Sequence, residues 1–84
     1  MHILIKTLTS KILGLDVEPD HTIQSLKEQI EEKEGIPPYQ QRLIFMGKPL
    51  DPIKSIVDYN IKEGSTIHLV LNIKGGGRAV FYAK

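Results

Sequence analysis

The chain has 84 residues, 40% of them hydrophobic and 25% charged, with no cysteine and a formal net charge of +1. That length makes one small domain with a simple core, and the missing cysteines exclude disulfides, thiolate nucleophiles and cysteine-held metals. Near-neutral charge argues against nucleic-acid binding, and the apolar runs and the N-terminus suggest neither a membrane span nor a secretory leader, so cytoplasm and nucleus are the expected compartments. Residues 1–7 alternate, with Met1, Ile3 and Ile5 on one face and His2, Leu4 and Lys6 on the other. Thr9-Ser10 offers a turn, and Ile12 to Val17 alternates again with Leu13, Leu15 and Val17 inward, which predicts a β-hairpin. Leu4 and Ile12 fall on its outer face as an expected cross-strand apolar pair.

Thr22 is a good N-cap for a helix over 23–34, whose Ile23, Leu26 and Ile30 form a buried stripe. Gly35 supplies a left-handed C-cap, and Pro37-Pro38 prevent continuation. Lys27 lies on the buried arc, so it must be paired or run its stem outward. Gln41–Phe45 reads as a third strand, Met46-Gly47-Lys48 as a turn and Leu50 as core, while Pro52 argues against a central strand over 50–54. Ser55-Ile56-Val57-Asp58 has capping-box spacing and predicts a short helical turn, with Ile56 and Ile61 buried around it. Glu63-Gly64 makes another turn. Thr66–Asn72 is the last strand and runs on towards Gly75-Gly76-Gly77. The layer solution is α+β: one helix packed on a small mixed sheet over residues 1–72, with residues 73–84 as a flexible tail.

Parity assigns the outer face. With Leu43 and Leu69 in the core, Arg42, Ile44, His68 and Val70 look outward, and Leu8 borders them from the first turn. Apolar Leu8, Ile44 and Val70 around a histidine, rimmed by Arg42 and Lys48, make a candidate partner patch. Gly75-Gly76-Gly77 lacks the lysine-serine ending and following helix of a phosphate loop. His2, His21 and His68 show no metal-ligand spacing, and no nucleophile–base pair is evident. By themselves, the glycines read as a linker.

Lys6-Thr7-Leu8-Thr9, Lys33-Glu34-Gly35-Ile36-Pro37-Pro38, Gln40-Gln41-Arg42-Leu43-Ile44-Phe45, Asp58-Tyr59-Asn60-Ile61 and His68-Leu69-Val70-Leu71 closely resemble the ubiquitin family, in a register without gaps from Met1 to Gly76. The resemblance implies the β-grasp fold and a protein modifier rather than an enzyme. It implies a precursor trimmed to Gly75-Gly76, then adenylated, carried as a thioester and joined to substrate lysines, without a cofactor of its own. The implied partners are activating, conjugating and ligase enzymes, processing proteases and ubiquitin-binding domains, met by a monomer. Leu8, Arg42, Ile44, Lys48, His68 and Val70 match the family's main recognition surface, and Ile36, Leu71 and Ile73 a second one. Lys6, Lys11, Lys27, Lys33 and Lys48 match acceptor positions, although Lys27 reads as structural, and Gln29 and Glu63 rule out chains through those two positions. Asn72 stands where the family's activating enzymes discriminate, and is neither the arginine of ubiquitin nor the alanine of the Rub-type modifier. Most matching positions, Phe45 and Asn60 among them, resemble ubiquitin, whereas Glu28, Glu31, Glu32 and Gly64 lean towards the Rub type. Ser10 replaces a turn glycine. Pro52 replaces the carboxylate that partners the buried lysine, leaving Asp51 as the expected partner of Lys27. Asn72, Ser10, Pro52 and Val80-Phe81-Tyr82 also motivate an alternative: a non-conjugated or engineered binding module that docks ubiquitin-pathway enzymes.

Overall fold

A computed structural model describes residues 1–71. The expected hairpin is present as β1 (His2–Lys6) and β2 (Ile12–Asp16), with Ile3 opposite Leu15 and Ile5 opposite Leu13, all on the buried face. Its turn closes through Thr7 N–H to Lys11 O at 2.9 Å and Ser10 N–H to Thr7 O at 3.0 Å. Ser10 sits there at φ 68°, a left-handed conformation that a Cβ disfavours. This turn also fixes the register. Leu4 therefore stands opposite Gly14, and Ile12 opposite Lys6, so the expected Leu4–Ile12 pair does not form.

The helix α1 (Ile23–Glu34) begins and ends where its caps dictate. Thr22 Oγ1 accepts from Ser25 N–H at 3.1 Å, and Gly35, at φ 75°, donates its N–H to Glu31 O at 2.7 Å. Two more N–H groups of the first turn are satisfied by the neighbouring segment: Ile23 donates to Lys54 O and Gln24 to Pro52 O. Ile23, Leu26 and Ile30 are fully buried, each contributing about 1.5–3 kcal/mol by leaving water.

Lys27 shares that stripe and is 8% exposed. The expected pairing with Asp51 is absent, because among the described residues the ion pairs are His2–Asp16 and Lys11–Glu34. Asp51 instead spends its carboxylate locally, accepting from Ile53 N–H at 3.1 Å. Desolvation lowers the pKa of the Lys27 ammonium below the ordinary lysine value.

After α1 the chain makes a 3-10 turn at Pro38–Gln40 and enters β3 (Gln41–Phe45). Gln41 locks the exit of the helix in place: its Nε2 donates to both Lys27 O and Ile36 O at 2.9 Å. The following turn is tighter than the sequence pattern implied. Only Met46 and Gly47 form it, at φ 52° and 80°, the two left-handed residues of a type I′ hairpin. Lys48 belongs to a short strand, β4 (Lys48–Pro49), opposite Phe45. The short helical turn expected from the Ser55–Asp58 spacing is the 3-10 turn Val57–Tyr59: Ser55 N–H donates to Asp58 Oδ2 at 3.0 Å, while Asp58 N–H donates to the Ser55 carbonyl rather than its hydroxyl, and Ile56 and Ile61 are buried.

The last strand, β5 (Thr66–Leu71), enters the middle of the sheet, parallel to β1 and antiparallel to β3, in the order β2-β1-β5-β3-β4. Ile3, Ile5, Leu43, Ile67 and Leu69 meet the stripe of α1 on one side, leaving the opposite side of the sheet for other uses. The final position of the expected strand, Asn72, lies outside the described residues.

Candidate recognition face

The strand ladder brings together the outward residues that parity selected. Ile44 stands opposite His68 and Arg42 opposite Val70, while His68 is also level with Lys6 of β1 and, through it, with Ile12. One register row thus crosses all five strands, Ile12–Lys6–His68–Ile44–Pro49. Arg42, Lys6 and His68 are exposed, and Ile44 and Val70 half-buried. Lys48 stands beside this row rather than on it, since Pro49 holds the place opposite Ile44. Cations flanking partly covered aliphatic side chains suit a protein partner that buries the apolar centre and hydrogen-bonds at the rim.

Leu8, 75% exposed in the first turn, has a second affiliation. It lines an open pocket of about 100 Å³ with Ile36, Leu69 and Leu71, bounded by Lys11 and Glu34. The second patch expected from Ile36, Leu71 and Ile73 is modified by this. Ile36 is only 7% exposed, because the turn after Gly35 and the Gln41 amide draw it into the core, so it offers a pocket wall rather than a protruding surface. Leu71 is half-buried beside it. Ile73 lies outside the described residues, as do Asn72, Gly75, Gly76 and the rest of the expected tail.

Of the acceptor lysines, Lys6, Lys33 and Lys48 are exposed, Lys11 is engaged by Glu34, and Lys27 is buried. Sequence reasoning missed the pocket, since parity assigns Leu69 to the core and no local pattern brings Glu34 beside Leu8 and Ile36. It also passed over Ile53 and Val57, apolar residues that are well exposed. Period-two alternation marks only strands, and these two sit in turns. No helix among the described residues is long and apolar enough to cross a membrane. No group of His, Asp or Glu side chains among them is arranged to hold a metal ion.

The chain is 53% identical over 76 residues to the ubiquitin-like protein NEDD8 of Dictyostelium discoideum, covering 90% of this chain and 99% of that protein. It is 45% identical over 76 residues to the NEDD8-like protein RUB1 of Saccharomyces cerevisiae, covering 90% and 99%. A segment of the AN1-type zinc finger protein 4 of Mus musculus is 42% identical over 76 residues, 90% of this chain but 10% of that much longer protein. Residues 3–74 match the ubiquitin family as a whole. With one helix on a mixed five-stranded sheet and a match across nearly all of its described residues, the chain belongs to the ubiquitin family and has the β-grasp fold.

Proposed function

We propose that this chain is the precursor of a Rub-type protein modifier, cut after Gly76 and then joined through the Gly76 carboxyl group to substrate lysines by an isopeptide bond. The chain itself is not an enzyme; activating, conjugating and ligase enzymes supply the catalysis, in the cytoplasm and nucleus. The observation that carries the reading is the placement of β5. This strand is flanked on both sides by others, presents His68 and Val70 beside Ile44 and Arg42, and ends at Leu71, from which the sequence runs through Asn72, Ile73 and Lys74 to Gly75-Gly76. A rigid recognition face and a terminus without side chains are thereby coupled through one strand, and glycine permits close approach of an enzyme from both sides. The names of the relatives agree with the branch to which Glu28, Glu31, Glu32 and Gly64 point.

Incubation of the full chain with a modifier-processing protease tests this reading. Loss of the mass of residues 77–84, followed by thioester formation with a Rub-type activating enzyme, is the expected result. An intact chain under conditions that process ubiquitin-like precursors overturns it. The segment found within the long mouse protein favours one second reading, a docking module that is never conjugated. Gly76→Ala separates the two, since it leaves a module's partner binding intact and stops a modifier at activation.

A further inference from the structure

We propose that two copies of this chain associate head to tail, the acidic segment carrying Ile53 and Val57 on one copy docking against the basic Ile44 face of the next. Ile53 is 83% and Val57 54% exposed, and neither joins the core. Their backbone is nevertheless firmly held. Ile53 N–H donates to Asp51 Oδ1 at 3.1 Å, Lys54 N–H to Asp51 O at 3.1 Å and Val57 N–H to Pro19 O at 2.9 Å. Pro52 O and Lys54 O in turn accept from the first turn of α1. Two aliphatic side chains are thus presented on an ordered frame, which lowers the entropic cost of a contact.

Charge selects the occupant. Glu18, Asp20, Asp51 and Asp58 are exposed on the two joined segments, 18–20 and 51–58, where Lys54 is the one lysine or arginine. The surface around Ile44 has the opposite sign. Strands β1, β3, β4 and β5 hold no Asp or Glu, and Lys6, Arg42 and Lys48 are exposed on them. One molecule therefore offers an aliphatic centre flanked by carboxylates and another flanked by cations, which is the complementarity a docking pair needs. The two lie apart: residues 51–58 bond to α1, which packs on the side of the sheet opposite Ile44. The contact is therefore made by a second copy.

Because it joins two different surfaces, the contact is heterologous, and each pair keeps one unused surface of each kind for further copies. With few aliphatic side chains on either side, it belongs to the weak, transient class. The monomer expected from the sequence is then the dilute form, and high concentration covers the Ile44 face. None of this depends on conjugation.

Sedimentation equilibrium of the full chain, at concentrations up to about 1 mM, decides the matter. One variant carries Ile53→Ser and Val57→Ser, the other Arg42→Glu and Lys48→Glu. All four side chains are exposed, so both variants fold like the parent. The average mass of the parent is expected to rise with concentration and to fall back towards the monomer at high salt. Each variant alone should stay monomeric. Mixed together they should form a dimer and nothing larger, since the first keeps the basic face and the second keeps the acidic segment. A parent that remains monomeric overturns the proposal. So does a variant that still associates, because another surface then holds the copies together, and so does a mixture that fails to pair.

Discussion

Lys11 Nζ lies 2.9 Å from Glu34 Oε2, joining the turn before β2 to the last turn of α1 at the edge of the apolar pocket. The Glu34 side chain is 9% exposed and that of Lys11 51%, so the cation acts as a lid over a mostly desolvated carboxylate. Lys11→Met removes the partner and strands the anion, which is the costlier half of such a pair. Denaturant unfolding is expected to show a loss of about 1 kcal/mol, smaller at high salt. Glu34→Gln in the Lys11→Met background should recover most of it.

Two non-glycine residues occupy turn positions built for glycine or asparagine. Ser10→Gly and Met46→Asn relieve φ values of 68° and 52°, and each is expected to raise stability by about 0.5–1 kcal/mol in a denaturant titration. Met46→Asn converts the second hairpin to Asn-Gly, the pair best suited to a type I′ turn.

Lys27 sets a dependence on alkaline pH. Desolvation lowers its pKa in the folded state, so the unfolded chain holds its proton more tightly. The cost of burying the ammonium is felt in full below the folded pKa. It diminishes as pH rises from there towards the unfolded value of about 10.4. Lys27→Met is expected to stabilise the protein at neutral pH, and thermal unfolding across the alkaline range should show that advantage shrinking as pH climbs.

Asp58 works in the opposite direction at acid pH. The hydrogen bond from Ser55 N–H holds its carboxyl below the ordinary carboxylate range, with the Lys54 charge a lesser cause. Its stabilisation is complete above the unfolded pKa and is lost as pH falls through the lowered folded one. Asp58→Asn should therefore be less stable than the parent at neutral pH. Acid titration of both proteins should bring their unfolding midpoints together.

For recognition, Ile44 is the position expected to matter most. Ile44→Ala should weaken binding of a ubiquitin-family receptor at least about tenfold, as truncation of an interface anchor does. Ile53→Ser changes a residue that is 83% exposed in the segment after β4, and should leave affinity unaltered. Calorimetry with one receptor compares the two directly.

Much of this protein is dictated by short-range rules. Thr22, Gly35 and Pro37 bound the helix, Ser55 and Asp58 make the 3-10 turn, and alternation assigns Ile3, Ile5, Leu13, Leu15, Leu43 and Leu69 to the core. Each of those follows from a backbone preference or a period that neighbouring residues reveal. Parity likewise marks Ile44, His68 and Val70 as outward. It does not say which strands lie side by side. Only the folded sheet decides that β5 runs between β1 and β3, levelling Lys6, His68 and Ile44. The same long-range packing turns Leu4 towards Gly14, leaves Lys27 without Asp51, and draws Ile36 inward to wall a pocket with Leu8 and Leu71. Such pairings join residues far apart in the chain, and no local preference encodes them, because they arise when separate elements bury their apolar faces against one another.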